Sequence, residues 1–261
     1  MIRALSNAAS GMKAQEMNID VLSNNLANVN TTGYKKSRAE FSDLFYEQRK
    51  TAGSPSAAGG NMPVGTEVGH GVRTAATYKN FSTGDLISTS NPLDIAIEGK
   101  GFFQVVQPNG EIAFTRNGMF KTNSDGQLVS VDGYEFEPSI SIPADATSIT
   151  VSESGVVSVT LGGSSDQIEV GNMELASFQN PAGLKSIGNN LFMETPASGT
   201  PITGTPGEEG AGRLRQGFVE GSNVAVVTEM IDLISAQRAY EVNSKVIEAA
   251  DEMLKQTTRI G

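Results

Sequence analysis

The stretch NVAVVTEMIDLISAQRAYEVNSKVIEAADEMLKQTTRIG, residues 223–261, carries the pattern from which the rest of the fold can be read. Val226, Leu233, Tyr240, Ile247 and Leu254 recur at intervals of seven, with Met230, Ala236, Asn243 and Ala250 between them. A sustained seven-residue repeat marks a long helix with one apolar seam, as in a coiled coil. Ser222 or Asn223 is the expected cap, and Glu241 with Lys245 forms an i,i+4 pair in the favourable order. The first ~28 residues answer this helix with a second one. Ile2, Leu5, Ala9, Met12, Ile19 and Leu26 form its stripe, widened by Ala8, Leu22 and Val29 and interrupted by Glu16 and Ser23. The run Asn24, Asn25, Asn28, Asn30 weakens it, and Gly33 supplies the left-handed residue that ends helices. Neither stripe is wide enough for a helix inside a globule, so the two ends are expected to pair with each other and then with further copies.

Between them the periodicity changes from seven to two. From Asp94 onward short apolar runs alternate with turn residues: IAIE, GFFQVV, EIAFT, MFKT, QLVSV, YEFE, then SITV, VVSVTL, IEV and ELASF. Asn109-Gly110, Asn117-Gly118, Asp125-Gly126 and Asp132-Gly133 fall between runs, where tight hairpins need positive φ. Two Gly-, Pro-, Ser- and Thr-rich patches, within 46–80 and at 196–212, read as linkers. The expected fold is therefore α+β: terminal helices forming a coiled-coil pair, with a discontinuous central antiparallel β domain. The boundaries read as 1–30 plus 223–261 for the helical part, 31–80 for an extended segment, 81–195 for the β domain and 196–222 for a return linker.

Composition limits the chemistry. The chain has 261 residues, 19 basic against 29 acidic side chains, one histidine, no cysteine and no tryptophan. Aromatics are 6%, so the core is expected to rest on aliphatic residues. Residues 81–212 hold 4 basic and 16 acidic side chains, a net charge of −12, while the two ends are close to neutral. Near-neutral ends can pack densely against copies of themselves, whereas the acidic middle favours water. Clustered Lys and Arg for phosphate neutralisation are missing, which argues against nucleic acid as a partner. No apolar run approaches the ~20 residues of a membrane helix. The N-terminus lacks the apolar core of a secretory signal, leaving the cytosol or export without a cleaved signal.

Catalytic and cofactor motifs are not found, so no catalytic residue, cofactor or metal ligand is expected, and no small-molecule substrate. Glu98-Gly99-Lys100-Gly101 reads as a turn, not a phosphate cradle. Lys121–Gly126 with Asp132 echoes a calcium loop, but Lys stands where the first carboxylate is required, so it too reads as a hairpin turn.

The most specific signals are three separated motifs. Ser23-Asn24-Asn25-Leu26-Ala27-Asn28-Val29-Asn30-Thr31-Thr32-Gly33-Tyr34-Lys35 resembles the N-terminal signature of bacterial flagellar rod and hook proteins. Gly221-Ser222-Asn223-Val224, Glu229-Met230-Ile231 and Gln237-Arg238-Ala239-Tyr240-Glu241 resemble the matching C-terminal signature. Asn91–Gly99, Gly101-Phe102-Phe103 and Thr115-Arg116-Asn117-Gly118 lie in order between them. The resemblance spans essentially the whole chain and is greatest to the members that form the distal rod, with proximal-rod and hook members as the alternative. It implies a helical homopolymer whose terminal helices line a tube and whose β domain faces outward, transmitting torque to the hook. Implied partners are copies of the chain, other rod subunits, the hook protein and basal-body rings. Ile2, Leu5, Met12, Ile19, Leu26, Val226, Met230, Leu233, Tyr240, Ile247 and Leu254 are the expected subunit-interface residues. The family-motif positions are Asn24, Asn25, Asn28, Thr32, Gly33, Tyr34, Gln237, Arg238, Ala239 and Tyr240. The terminal helices are expected to order on assembly, and 46–80 to fold across a neighbour and stiffen the tube. Two other classes compete: a surface adhesin with coiled-coil arms, which would need a secretory signal or anchor, and a wall-degrading enzyme, which would need a catalytic Glu or Asp in a cleft.

Overall fold

A computed structural model describes residues 2–53, 63–162, 166–208 and 210–260. The chain divides into two units, each assembled from discontinuous segments.

The first unit holds α1 (Ile2–Ala27), β1 (Ser37–Asp43), β2 (Tyr46–Lys50), β3 (Thr66–Gly69), β4 (Val72–Lys79) and α2 (Val226–Ile260). β1 pairs with β4, and β2 with β3 in antiparallel register, Glu47 opposite Val68. The turn between β3 and β4 seats on α1: Asn7 Nδ2 donates to the Gly69 carbonyl at 3.2 Å, and Ser10 Oγ accepts from Val72 N at 3.3 Å. Arg3 pairs with Glu47. Residues 37–79, read from sequence as extended linker, are thus largely strand. Their Thr, Val, Tyr and Phe residues alternate with charged ones, and the low-complexity composition is confined to a short stretch, of which 54–62 lie outside the described residues.

α2 begins at Val226, three residues later than the sequence suggests. Asn223 cannot cap it, because its amide is engaged elsewhere: Oδ1 accepts from Lys36 N at 2.8 Å and Nδ2 donates to the Asn80 carbonyl at 2.8 Å. Ser222 Oγ is buried without a hydrogen-bond partner.

The second unit contains β5 (Leu86–Ser88), β6 (Ile95–Glu98), β7 (Phe103–Val106), β8 (Ile112–Thr115), β9 (Phe120–Thr122), β10 (Leu128–Ser130), β11 (Glu135–Glu137), β12 (Ala146–Val151), β13 (Val156–Leu161), β14 (Gln167–Asn172), β15 (Leu175–Ser177), β16 (Lys185–Gly188), β17 (Leu191–Met193), β18 (Ile202–Gly204), β19 (Arg213–Gln216) and β20 (Phe218–Glu220). Seven strands form an antiparallel sheet in the order β16-β17-β8-β7-β11-β10-β9, and β12-β13-β14 form a second sheet. The last segment, read as a return linker, instead supplies β18, β19 and β20. β19 pairs with β6, placing Leu214 opposite Ile97, and β20 pairs with β5. Leu214 is fully buried in the core.

Phe102 and Phe103 show how the sequence builds two cores from one strand. Successive side chains on extended backbone point to opposite faces. Phe103 stacks edge-on with Phe120 at 5.0 Å, and Phe120 with Phe136 at 5.4 Å, within the larger cluster. Phe102 enters the second cluster with Phe114, Phe178 and Phe192, against Phe81. The expected aliphatic core is therefore corrected. Eight of the chain's 11 phenylalanines take part in ring–ring contacts, all in this unit. A low overall percentage concealed their concentration.

Candidate assembly site

Helix α1 buries Ala8, Ala14, Leu22 and Asn25, while Leu5, Met12, Ile19 and Leu26 are half-buried. The side chain of Ile2 lies outside the described residues. Helix α2 buries Glu229, Ala236 and Ala250, with Leu233, Asn243, Ile247 and Leu254 half-buried. Val226, Met230 and Tyr240 are exposed. The covered face of α2 therefore runs 229, 236, 243, 250, and the seam position assigned to Met230 belongs to Glu229. Counting back by sevens from Ala250 reaches 229, but hydrophobicity pointed to the methionine beside it.

Glu229 can occupy this face because its carboxylate has a partner. Asn25 Nδ2 donates to Glu229 Oε2 at 3.2 Å. The same amide donates to the Ser37 carbonyl at 2.9 Å, and Asn25 Oδ1 accepts from Ser37 N at 2.8 Å. Further along, Gly11 meets Asn243, and a Cβ on Gly11 would lie 3.0 Å from Asn243 Nδ2. From 11 to 25 on α1, and from 243 back to 229 on α2, the two contacts are separated by the same two heptads. The helices therefore run antiparallel.

Of the motif residues, Asn24, Gln237 and Arg238 are exposed, and Asn28, Thr32 and Ala239 are half-buried. Gly33 and Tyr34 are buried. Gly33 has φ +68°, ending the turn after α1 as its sequence position implied. There its N–H donates to the Glu220 carbonyl at 2.7 Å.

That contact opens onto an ion-pair hub in the second unit which the sequence did not disclose. Glu220 Oε1 accepts from Lys35 Nζ at 2.5 Å and from Gly84 N at 2.9 Å, and Oε2 accepts from Arg116 Nε at 2.8 Å. Lys35 also donates to the Ser82 carbonyl at 2.7 Å. Arg116 donates to the carbonyls of Gly101 at 2.6 Å and Gly99 at 2.9 Å. Both carboxylate and ammonium side chains are wholly inaccessible to solvent. Burial pushes the Lys35 ammonium below the usual lysine range, Glu220 pulls it back, and Arg116 lowers it further. Lys35 and Arg116 stand inside the quoted motifs; Glu220 stands just before one and was missed. No local signal marks a surface-type residue as buried.

The calcium-like loop is a turn: Asn123 Oδ1 accepts from Asp125 N at 2.9 Å and Gln127 N at 2.8 Å, closing β9 onto β10. Among the described residues no three His, Asp or Glu side chains group as metal ligands. Among the described residues no helix is long and apolar enough to cross a membrane.

Three family descriptions match in chain order: flagella basal body rod protein over residues 5–35, flagellar hook protein FlgE/F/G D1 domain over 96–159, and flagellar basal body rod FlgEFG protein C-terminal over 215–260. The flagellar basal-body rod protein FlgG of Borreliella burgdorferi is 51% identical over 256 residues, 97% of each chain. The chain belongs to the flagellar basal-body rod protein family. The FlgG of Caulobacter vibrioides is 50% identical over 99% of each chain, and that of Bacillus subtilis 38% identical over 100% of this chain and 99% of its own. As a member of this family the chain is a structural protein of the flagellar basal body, serving motility by assembling with other rod and hook components. The three matched stretches contain the elements that meet here: Asn25 and Lys35 in the first, Arg116 in the second, Glu220 and Glu229 in the third.

Proposed function

We propose that this chain is a distal-rod subunit that polymerises into a rigid helical tube, carrying torque to the hook and enclosing the export channel. The terminal helices pair within the chain as an antiparallel coiled coil. The observation that carries self-assembly is a second apolar stripe on α2. Val227, Ile231, Ile234, Val242, Val246 and Met253 recur three, four, seven or eight residues apart and are all exposed, Val227 at 71%. At 100° per residue Val227, Ile231 and Ile234 lie on the far side of the helix from the 229–236–243–250 face, and Val242, Val246 and Met253 carry the stripe round its flank. Burying such a side chain fully contributes about 1.5–3 kcal/mol, and this stripe offers six per subunit. A second copy supplies the cover, because a contact that does not close on itself generates a filament. The distal position rests on full-length similarity to the FlgG proteins.

Residues 46–69 support the stiffening role. Within them β2 pairs with β3, beside which Phe45 is 91% exposed, with Tyr46 and Val64 also exposed. An aromatic patch on a two-stranded ribbon gains most when laid on a neighbour. Polymers of a chain lacking 51–66 should bend more easily; unchanged stiffness would remove this role. The rod would cross the periplasm.

The test is electron microscopy of the purified chain concentrated well above micromolar, with circular dichroism before and after. Tubes with a central channel support the proposal. A monomer with complete helices at every concentration overturns it.

A further inference from the structure

The covered faces of the two helices do not by themselves fix how far one slides along the other. On α1 the ladder in line with Asn25 and Gly11 is Asn25, Asn18, Gly11, Ala4; on α2 it is Glu229, Ala236, Asn243, Ala250. Both mix small and polar residues, so a slide of one heptad, which would bring Gly11 to Ala236, places residues of similar size opposite each other. Apolar burial barely distinguishes the two registers.

The polar contacts do distinguish them. Asn25 and Glu229 are both buried, at 1% and 4% exposure. The Asn25 amide is oriented before α2 arrives, since its oxygen and one N–H are held by the Ser37 backbone at 2.8 and 2.9 Å. Its second N–H points at Glu229 Oε2. One buried polar position is enough to specify register in a helix pair, and sliding takes the Asn25 donor, held in place by Ser37, away from its acceptor. We infer that the Ser37–Asn25–Glu229 arrangement is the register pin of the terminal helices, and that it decides which face of α2 is left for neighbours. This rests on the proposed coiled-coil pairing.

The absence of cysteine permits a direct test in the full-length chain. Gly11→Cys with Asn243→Cys reports the native register, and Gly11→Cys with Ala236→Cys the slipped one. Oxidation of dilute protein, with intermolecular products separated by size, should bridge the native pair at least about tenfold faster, the factor that one hydrogen bond to a charged group supplies. With Asn25→Leu and Glu229→Leu added, the two rates should come within about threefold of each other, well under one such bond's worth. Glu229→Leu alone leaves the Ser37 clamp untouched and should narrow the ratio in the same way. Glu229→Gln keeps an acceptor and should retain the native preference. Bridging that stays native-specific in both leucine variants overturns the register pin while leaving the helix pairing intact. Failure of the 11/243 pair to bridge in the otherwise unaltered chain overturns the pairing itself.

Discussion

The β unit and the helical unit bury polar groups for different ends. In the β unit apolar surface is closed on itself: two phenylalanine clusters fill both faces of one sheet, and a carboxylate with two cations is sealed from water. In the helical unit the covered face is built of alanines, one leucine, an asparagine and a glutamate, while larger aliphatics remain in solvent. A unit that buries its large side chains is complete in one copy. One that buries its small side chains and displays its large ones is complete only in company. The same contrast separates the two glutamates: Glu220 ties its own strand to three other chain segments, at Gly33 and Lys35, at Gly84 and at Arg116, whereas Glu229 accepts from the Asn25 amide on the other helix.

The comparison can be broken most forcefully at the hub. Glu220→Ala leaves Lys35 and Arg116 buried without a counter-charge, a change that costs about 3–5 kcal/mol. Hydrogen exchange at β7 and β8 should accelerate accordingly, and unaltered protection there would show that the carbonyls alone satisfy the cations. Gly33→Ala comes next. The residue sits at φ +68°, and a Cβ there would lie 2.7 Å from Asn117 N, so roughly 1–3 kcal/mol should be lost in denaturant unfolding. Alanine at the native midpoint would mean that the turn relaxes freely.

On the helices the expectation reverses. Ile234→Asp should change the stability of the isolated chain by no more than about 0.5 kcal/mol, as at an open surface position, yet abolish tubes in the microscope. Leu233→Asp, on the covered face, should abolish tubes while leaving the β unit folded. If Ile234→Asp polymerises normally, the exposed stripe is not the contact. The smallest signal is a pH slope. Between the lowered folded value of Lys35 and its ordinary 10.5, the unfolded chain holds a proton that the folded chain has released, so stability at this site rises with pH. Below that window both states are charged and the contribution is flat. The stability of wild type relative to Lys35→Met should therefore move in the wild type's favour as pH rises through the window; a constant difference would show Glu220 restoring an ordinary lysine.

Much of this architecture is legible residue by residue. Both helices follow from their periodicity, and the ten central strands, IAIE through ELASF, fall where apolar alternation and Asn-Gly or Asp-Gly turns put them. Residues 213–220 read as a connector because their pairing partners lie far away in sequence: Arg213 opposite Glu98, Phe218 opposite Ser88. Residues 37–79 pair among themselves, β1 with β4 and β2 with β3, on either side of the low-complexity stretch that gave them a linker's composition. Asn223 looked like a cap because its local context suits one, while the groups it bonds, on Lys36 and Asn80, are more than 140 residues distant in the chain.

By itself the sequence determined the two helices and the ten central strands, since these depend on periods of seven and two within a dozen residues. It determined the family as well, through three motifs in order. Only the tertiary structure decided which polar residues are buried. Burial of a charge depends on whether a counter-charge arrives from elsewhere, and Glu220 meets its partners across 185 and 104 residues of chain. Glu229 entered the helix seam in place of Met230 for the same reason: an amide 204 residues away was already turned to receive it.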